Sequence, residues 1–351
     1  MTYLINATNV KSYNTWGSVT SPSTQISTDA VKAMSASQVS QLTSTQVNVL
    51  STDQIKLMKI EGLSTNGIKG LNTNLVGALT VTQIPALTTD QIINMVSAQL
   101  NAISTTQISA LEVTDLGAIT TAAMNKLDTA LLNALSATQI KGLKTTQVQA
   151  LSTDQLDALT STQLQNFSAV EVAALTSTQL NAVSTSTIAN LSEAQIKAMT
   201  TTQLNNLDST ALTAIETRDV QALQLTQIAG LSSTQLNLMS TSQMAALTKV
   251  QVQTMNSSQL NGLNTTNLQA LDTADIQGLS VTQVAAMTTT TFDNLTSNQV
   301  KALSAQQISA LTTSFVNGLT TNQIGFLSST QLNGLTTDQV GAITSTNLAK
   351  D

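Results

Sequence analysis

Residues 152–159 read Ser-Thr-Asp-Gln-Leu-Asp-Ala-Leu, and units of this kind follow one another without a break from residue 64 to residue 343. If Ser152 is numbered as slot one, slots five and eight hold a large apolar residue in all 35 units. A fixed period of this kind indicates a repeat array, in which each unit contacts mainly its neighbours. The architecture therefore follows from the period, and single motifs are secondary to it.

The polar slots of the unit predict a helix start. Slot one is Ser, Thr, Asn or Asp in 30 of 35 units, and slot four is Gln in 22. A short polar side chain accepts a hydrogen bond from the free amides of a helix start, and a Gln three residues later returns a bond to the N-cap backbone. Leu151 and Leu156 then form a hydrophobic staple across the Ser152 cap.

Slot seven distinguishes the possible folds. It is Ala or Gly in 26 of 35 units, which indicates a limit on size where a neighbouring backbone comes close. A β-solenoid needs Gly, Asn or Asp at corners with positive φ, and a Gly position shared with Ala does not fit that need. One continuous helix drifts by about 80° per octad and keeps no fixed buried face.

We therefore predict an all-α solenoid, a superhelix with one short helix per eight-residue repeat, and keep a β-solenoid as the alternative. Helices of about one and a half turns are unstable alone because nucleation is costly. Stability must come from stacking successive turns around a shared apolar interior. The period does not give the number of octads in one superhelical turn.

Departures from the repeat divide the chain. Residues 1–25 form a non-repeat segment, 26–58 carry octads, 59–63 shift the phase, 64–343 carry 35 octads, and 344–351 form a degenerate last repeat. We interpret residues 59–63 as an insertion that forms a surface bulge, with a hinge as the alternative. The N-terminal segment holds Tyr3, Tyr13 and Trp16, which are all the Tyr and Trp residues of the protein. This segment is either a cap or an assembly element, and these aromatic residues are the candidate contacts.

Composition excludes most chemistry. The chain has no His and no Cys, so disulfides, thiol nucleophiles, His bases and almost every zinc or haem site are absent. We expect no enzyme activity, no cofactor and no metal. With a net charge of −6 and Arg218 as the single Arg, no basic stripe exists for nucleic acid. No apolar run is long enough for a membrane span.

The repeat resembles a known kind of sequence. Residues 103–111 read Ile-Ser-Thr-Thr-Gln-Ile-Ser-Ala-Leu and residues 327–335 read Leu-Ser-Ser-Thr-Gln-Leu-Asn-Gly-Leu. These units are similar to the octapeptide arrays of large bacterial surface and adhesin-like proteins, and the likeness covers nearly the whole chain. It implies a secreted, non-enzymatic role.

The expected function is structural. We expect an extracellular rod, stalk, or filament or surface-layer-type subunit that assembles end to end with itself or binds other cell-surface components. The alternative is a recognition module that binds ice or polysaccharide through a lattice of Thr and Ser hydroxyls. Neutral polar composition points to the outside or the surface of a bacterial cell. No signal peptide is visible at the start of the sequence, so the export route stays open.

Overall fold

The computed structural model describes residues 26–343, and within them it is all-α, with 38 short α-helices and no strand. The predicted helical solenoid is confirmed, and the β-solenoid alternative is wrong. The chain divides into two compact units, Met1–Leu175 and Thr176–Asp351. Almost every octad forms one helix, as the repeated cap signal predicts.

In the first unit the α-helices are α1 (Thr28–Ala33), α2 (Ala36–Val39), α3 (Ser44–Asn48), α4 (Thr52–Ile55), α5 (Thr65–Lys69), α6 (Thr73–Gly77), α7 (Thr89–Asn94), α8 (Ser97–Leu100), α9 (Thr105–Ser109), α10 (Val113–Leu116), α11 (Thr121–Met124), α12 (Thr129–Asn133), α13 (Ala137–Lys141), α14 (Thr145–Ala150), α15 (Thr153–Ala158), α16 (Ser161–Gln165) and α17 (Ala169–Ala174).

In the second unit they are α18 (Ser177–Ala182), α19 (Thr185–Ala189), α20 (Glu193–Ala198), α21 (Thr201–Asn205), α22 (Ser209–Thr213), α23 (Thr217–Ala222), α24 (Leu225–Gly230), α25 (Ser233–Leu238), α26 (Thr241–Ala245), α27 (Lys249–Thr254), α28 (Ser257–Asn261), α29 (Thr265–Ala270), α30 (Thr273–Gly278), α31 (Val281–Ala285), α32 (Thr289–Asp293), α33 (Ser297–Ala302), α34 (Ala305–Ser309), α35 (Thr313–Gly318), α36 (Thr321–Phe326), α37 (Ser329–Asn333) and α38 (Thr337–Ala342).

Each helix begins and ends for reasons that its own octad supplies. At α15, Ser152 is the extended N-cap, and its Oγ accepts a hydrogen bond from Gln155 N at 3.2 Å. Gln155 Oε1 in return accepts from Ser152 N at 2.8 Å, which completes the predicted capping box. Leu159 returns to extended backbone, with φ −64° and ψ 137°, so the chain leads directly into the next cap.

Within each unit, helices pack against the third helix along the chain, as α11 does against α14 and α27 against α30. Hydrogen bonds between neighbouring turns join residues 25 to 31 positions apart, as from Asn101 to Lys126 and from Gln155 to Met124. One superhelical turn therefore takes about three and a half octads. Because this number is not whole, a given slot on one turn faces different slots on the next.

Slots five and eight form the core of each unit. From Ile68 to Val316, every slot-five side chain is at most 4% exposed. Slot seven packs against slot two of an earlier turn: a Cβ added to Gly262 would lie 2.5 Å from the Cβ of Ser233. No residue in the described range 26–343 has positive φ. Small residues therefore occupy slot seven because space is limited there.

Thr80–Leu87 is an octad without a helix. Pro85 stands in slot six, where it has no N–H to donate to the carbonyl four residues earlier. The octad folds as successive turns, and Ile84 and Leu87 are nevertheless 1% and 4% exposed. The superhelix thus depends on the placement of slots five and eight more than on the helix between them.

The phase-shifting segment 59–63 is a contracted repeat instead of a surface bulge. It forms a 3-10 helix, Ile60–Gly62, and Ile60 is fully buried. The carbonyls of Ile60 and Leu63 accept hydrogen bonds from Gln91, as slot-five and slot-eight carbonyls do elsewhere. The segment therefore supplies slots four to eight of an octad, and only the first three slots are missing.

Candidate functional site

The slot-four glutamine amide connects successive turns. Gln155 Nε2 donates to the Met124 carbonyl at 2.8 Å and to the Leu127 carbonyl at 2.7 Å, 31 and 28 residues earlier in the chain. These carbonyls lie at the end of an earlier short helix, where intrahelical partners run out. One buried side chain therefore caps the start of its own helix and the end of a helix on the turn before.

This pair of bonds recurs through both units, and we name it the glutamine ladder. Side chains that make both bonds include Gln91, Gln99, Gln139, Gln147, Gln155, Gln163, Gln227, Gln243, Gln251, Gln259, Gln283, Gln299, Gln331 and Gln339, and Gln83 bonds in the same way to Ile55 and Met58 before the contracted repeat. Asn267 makes the same two bonds with its shorter side chain. The sequence predicted the capping half of the Gln but not this connection between turns.

A second set of amides, at slot six, connects the turns in the opposite direction. Asn101 Nδ2 donates to the slot-seven carbonyl of Lys126 at 2.8 Å, and its Oδ1 accepts from Asp128 N at 3.0 Å. Both partners lie on the following turn, at the junction between two repeats. We name this set the asparagine clamp.

The asparagine clamp replaces missing capping boxes. Asp128 is followed at slot four by Leu131, which cannot return a hydrogen bond to the N-cap backbone, and Asn101 supplies that acceptor from the previous turn. In each of these pairs the capped octad lacks a capping box. The pairs include Asn48 with Asn72, Asn101 with Asp128, Asn181 with Asp208, Asn205 with Ser232, Asn237 with Asn264 and Asn261 with Thr288.

The sequence carries a signal for the clamp. An Asn at slot six stands thirty residues before a slot four that lacks Gln at Asn101, Asn181, Asn237 and Asn261, whereas Asn205 stands thirty residues before Gln235. The spacing acquires meaning only when the length of one turn is known. The clamp therefore could not be derived from the octad alone.

Glu171 shows what happens when a carboxyl takes the ladder position. Its Oε2 accepts from Ser168 N at 2.6 Å, so its capping half is intact. Its Oε1 is buried and has no hydrogen-bond partner among residues 26–343, because a carboxylate has no N–H to donate where Gln has two. Burial raises the pKa of Glu171, against the lowering effect of the Ser168 hydrogen bonds.

Two slot-four aspartates, Asp219 and Asp275, also have raised pKa values. Burial raises the pKa of Asp275 to about 6, and the neighbouring Asp272 carboxylate adds to the rise while Lys249 opposes it. Burial likewise raises the pKa of Asp219, against the effect of the Arg218 guanidinium 3.8 Å away. At Glu171, Asp219 and Asp275, burial therefore disfavours the charged carboxylate.

The structure does not place the predicted assembly residues, since Tyr3, Tyr13 and Trp16 lie outside the described residues. Elsewhere, Phe315 occupies slot four and packs edge-on against Phe292, with ring centroids 5.3 Å apart.

Within residues 26–343 no group of His, Cys, Asp and Glu is arranged to hold a metal ion. Within the same range, no helix is long and apolar enough to cross a membrane.

One groove lies where both the glutamine ladder and the asparagine clamp are interrupted. Ile93 replaces the slot-six amide, and Ala123 replaces the slot-four Gln thirty residues later. A groove of about 340 Å³ opens between these turns, and Lys69 and Lys126 also line it.

These features define the class of protein: a helical repeat array in which amide side chains hold each turn to the next. The family model described as the ALTTAQ repeat matches residues 140–169, 172–209, 212–249, 252–289 and 316–350, about half of the chain. The chain belongs to the ALTTAQ repeat family. The six letters correspond to slots seven, eight and one to four, as in residues 158–163, Ala-Leu-Thr-Ser-Thr-Gln. No curated protein matches the chain in sequence.

Proposed function

We propose that this protein is a non-enzymatic structural element, a rod, stalk, or filament or surface-layer-type subunit that assembles through its ends. The observation that carries the proposal is the glutamine ladder. Its slot-four amides hold one turn to the turn before, as Gln155 and Gln251 do, each bonded to carbonyls of the earlier turn. Such an array becomes longer when repeats are added, because each added turn bonds to the turn before it.

The outer surface fits a passive role. Slots one to three present hydroxyl side chains, and only 9% of residues are charged. The ion pairs between Lys56 and Asp53 and between Lys197 and Glu193 lie at the surface, where such pairs contribute little. We place the protein outside or on the surface of a bacterial cell, as its likeness to octapeptide surface and adhesin-like arrays implies.

The second candidate, a hydroxyl lattice that binds ice or polysaccharide, has less support. In some octads the hydroxyls of slots one and three bond to each other, at 2.9 Å between Thr80 and Thr82 and between Ser280 and Thr282. Most slot-one oxygens also cap helix starts, as Ser152 Oγ does. Hydroxyls engaged in this way are poorly arranged for an external lattice.

Sedimentation velocity of the full-length protein over a concentration series tests the structural proposal. We expect elongated species that grow with concentration and appear in electron micrographs as end-to-end chains. Replacing Tyr3, Tyr13 and Trp16 together by Ala tests the proposed N-terminal contact, and should reduce these species without changing the helical circular dichroism spectrum. A protein that stays monomeric at every concentration contradicts assembly through the ends.

A further inference from the structure

The groove of the first unit lies where a ladder amide is missing from the sequence. Ala123 stands in slot four of its octad, where 22 of 35 units hold Gln, and it is 4% exposed. The groove, of about 340 Å³, is lined by Ala123 and by Ile93, whose slot supplies the asparagine clamp in other octads. Space that the Gln155 side chain fills on its own turn is therefore open here.

The backbone groups that a ladder amide would bind lie at this groove. Oε1 of Gln155 accepts from the N–H of its own N-cap at 2.8 Å, and its Nε2 donates to the Leu127 carbonyl, 28 residues earlier, at 2.7 Å. The equivalent groups for Ala123 are Thr120 N and the Met95 carbonyl, and both residues line the groove. Within residues 26–343 neither group has a hydrogen-bond partner. One donor and one acceptor are therefore free to bind a ligand.

Charge and apolar surface narrow the class of that ligand. Lys69 and Lys126 are exposed at the groove, neither forms an ion pair with a described residue, and none of the described lining residues is acidic. Ile93 and Val96 are 46% and 47% exposed and line the same groove. The chain as a whole has a net charge of −6. This surface therefore complements an acidic ligand that also carries an apolar group.

We propose that the groove binds an extended, acidic peptide segment of a partner protein, whose Gln or Asn side chain enters the space beside Ala123. Its amide oxygen accepts from Thr120 N and its amide N–H donates to the Met95 carbonyl, as a ladder Gln does with its own partners. An Asp or Glu next to the amide pairs with the two lysines, and an apolar neighbour covers the exposed aliphatic side chains. A peptide is the occupant that the groove favours, because it carries all three groups at adjoining positions.

This inference goes beyond the structural role of the protein and does not depend on assembly through the ends. Fluorescence anisotropy of a labelled peptide, Gly-Ser-Asp-Gln-Leu-Asp-Ser-Gly, titrated with the full-length protein at pH 7 tests it. We expect saturable binding that weakens as salt is added, because salt screens exposed charges. A peptide with Met in place of Gln has a similar length but no amide, and should bind about tenfold more weakly or worse.

Variants of the full chain locate the site. Ala123→Gln supplies the missing amide from the chain itself, so it should raise the thermal unfolding midpoint and weaken peptide binding by about tenfold or more. Lys69→Gln with Lys126→Gln changes two exposed side chains, so it should keep the fold and weaken binding several-fold. Circular dichroism melts report the fold of each variant.

Matched controls change the same residue types outside the groove. Ala130→Gln alters an exposed Ala of α12, and Lys141→Gln alters an exposed Lys in the same slot as Lys69. Neither residue lines the groove. Both controls should bind the peptide as the wild type does.

Each outcome decides for or against the site. Binding that weakens with the Met peptide and with Ala123→Gln, but not with the controls, confirms the assignment. If the wild type does not bind the peptide, or binds the Met peptide equally well, recognition of an amide is wrong. If Ala123→Gln is folded and binds as the wild type does, the groove is not the site. If Ala123→Gln does not fold, the lysine variant decides: unchanged binding overturns the proposal, and a loss that Lys141→Gln does not share supports it.

Discussion

Glutamine at slot four suits its position because one side chain carries an acceptor and two donors. In Gln155 the oxygen binds the start of its own helix and the nitrogen binds two carbonyls of the earlier turn. Glu keeps the first bond and loses the other two, as Glu171 shows with its unpartnered Oε1. Whether slot four holds an amide or an acid therefore decides whether its side chain can donate hydrogen bonds to the earlier turn.

The stability of Asp275→Asn relative to wild type should be greater at pH 7 than at pH 4. Because the folded pKa of Asp275 is raised to about 6 above its unfolded value, its contribution to stability is full below about pH 4. That contribution is lost as the pH rises through 6. Urea unfolding of both proteins across pH 4 to 8 measures the difference, with exposed Asp338→Asn as the control.

Gln155→Glu should destabilise the protein by about 1 to 3 kcal/mol at pH 7, because the carbonyls of Met124 and Leu127 lose their buried donor. The reverse change, Glu171→Gln, should stabilise it by a similar amount. Both differences should shrink on acidification, since a protonated carboxyl regains one donor. Thermal melts in which the two variants do not shift the melting temperature in opposite directions contradict the ladder.

At the scale of the element, each helix is short, and its ends decide its stability. Every described α-helix has six residues or fewer between its caps, so at least half of its backbone N–H and C=O groups lack intrahelical partners. The slot-one side chain bonds to the free N–H groups at the start of its helix. The slot-four side chain bonds both to the start of its own helix and to the free carbonyls at the end of a helix on the turn before. Slot seven lets the elements come close enough for these bonds to form.

Ser152→Ala should cost about 0.5 to 2 kcal/mol in unfolding free energy, because Gln155 N loses its capping acceptor. The control is Ser161→Ala, one residue inside the next helix, where the side chain is exposed and Ala favours the helix. Equal effects of the two changes in denaturant unfolding contradict the assignment of slot one as the cap.

Gly262→Ala and Gly325→Ala should have opposite effects. At Gly262 the new Cβ would lie 2.5 Å from Ser233 Cβ, so we expect a loss of about 1 to 3 kcal/mol from overpacking. At Gly325, inside α36, a Cβ meets nothing within 4 Å, and we expect a gain of about 0.5 to 1 kcal/mol from helix propensity. Melts of the two variants beside wild type measure the difference in sign.

At the scale of the molecule, stability is additive along each unit. Contacts join turns that are neighbours, as α27 joins α30 and α30 joins α33. The energy of such an array is a sum of repeat and nearest-neighbour contributions. Damage to one turn should therefore stay near that turn.

Val252→Asp tests this locality. Val252 is fully buried in slot five, so the variant should lose amide hydrogen-exchange protection in α27 and in the helices it contacts, α24 and α30. Helices two or more turns away in the same unit should keep their protection. Val250→Asp, two residues earlier and 54% exposed, is the control and should change little. Loss of protection throughout the unit contradicts the nearest-neighbour picture.

The sequence by itself determined the helix, its caps and its core. The Ser, Thr, Gln and apolar slots act within one octad or with the adjoining one, so their physics is local and readable from a single unit such as residues 152–159. The tertiary structure decided everything that depends on the length of a turn. The bonds of Gln155 to Met124 and of Asn101 to Asp128, and the place of Ile60 in a contracted repeat, join residues that come together only because about three and a half octads close one turn. A period of eight residues fixes which slots repeat, but the angle between successive helices depends on how their side chains pack.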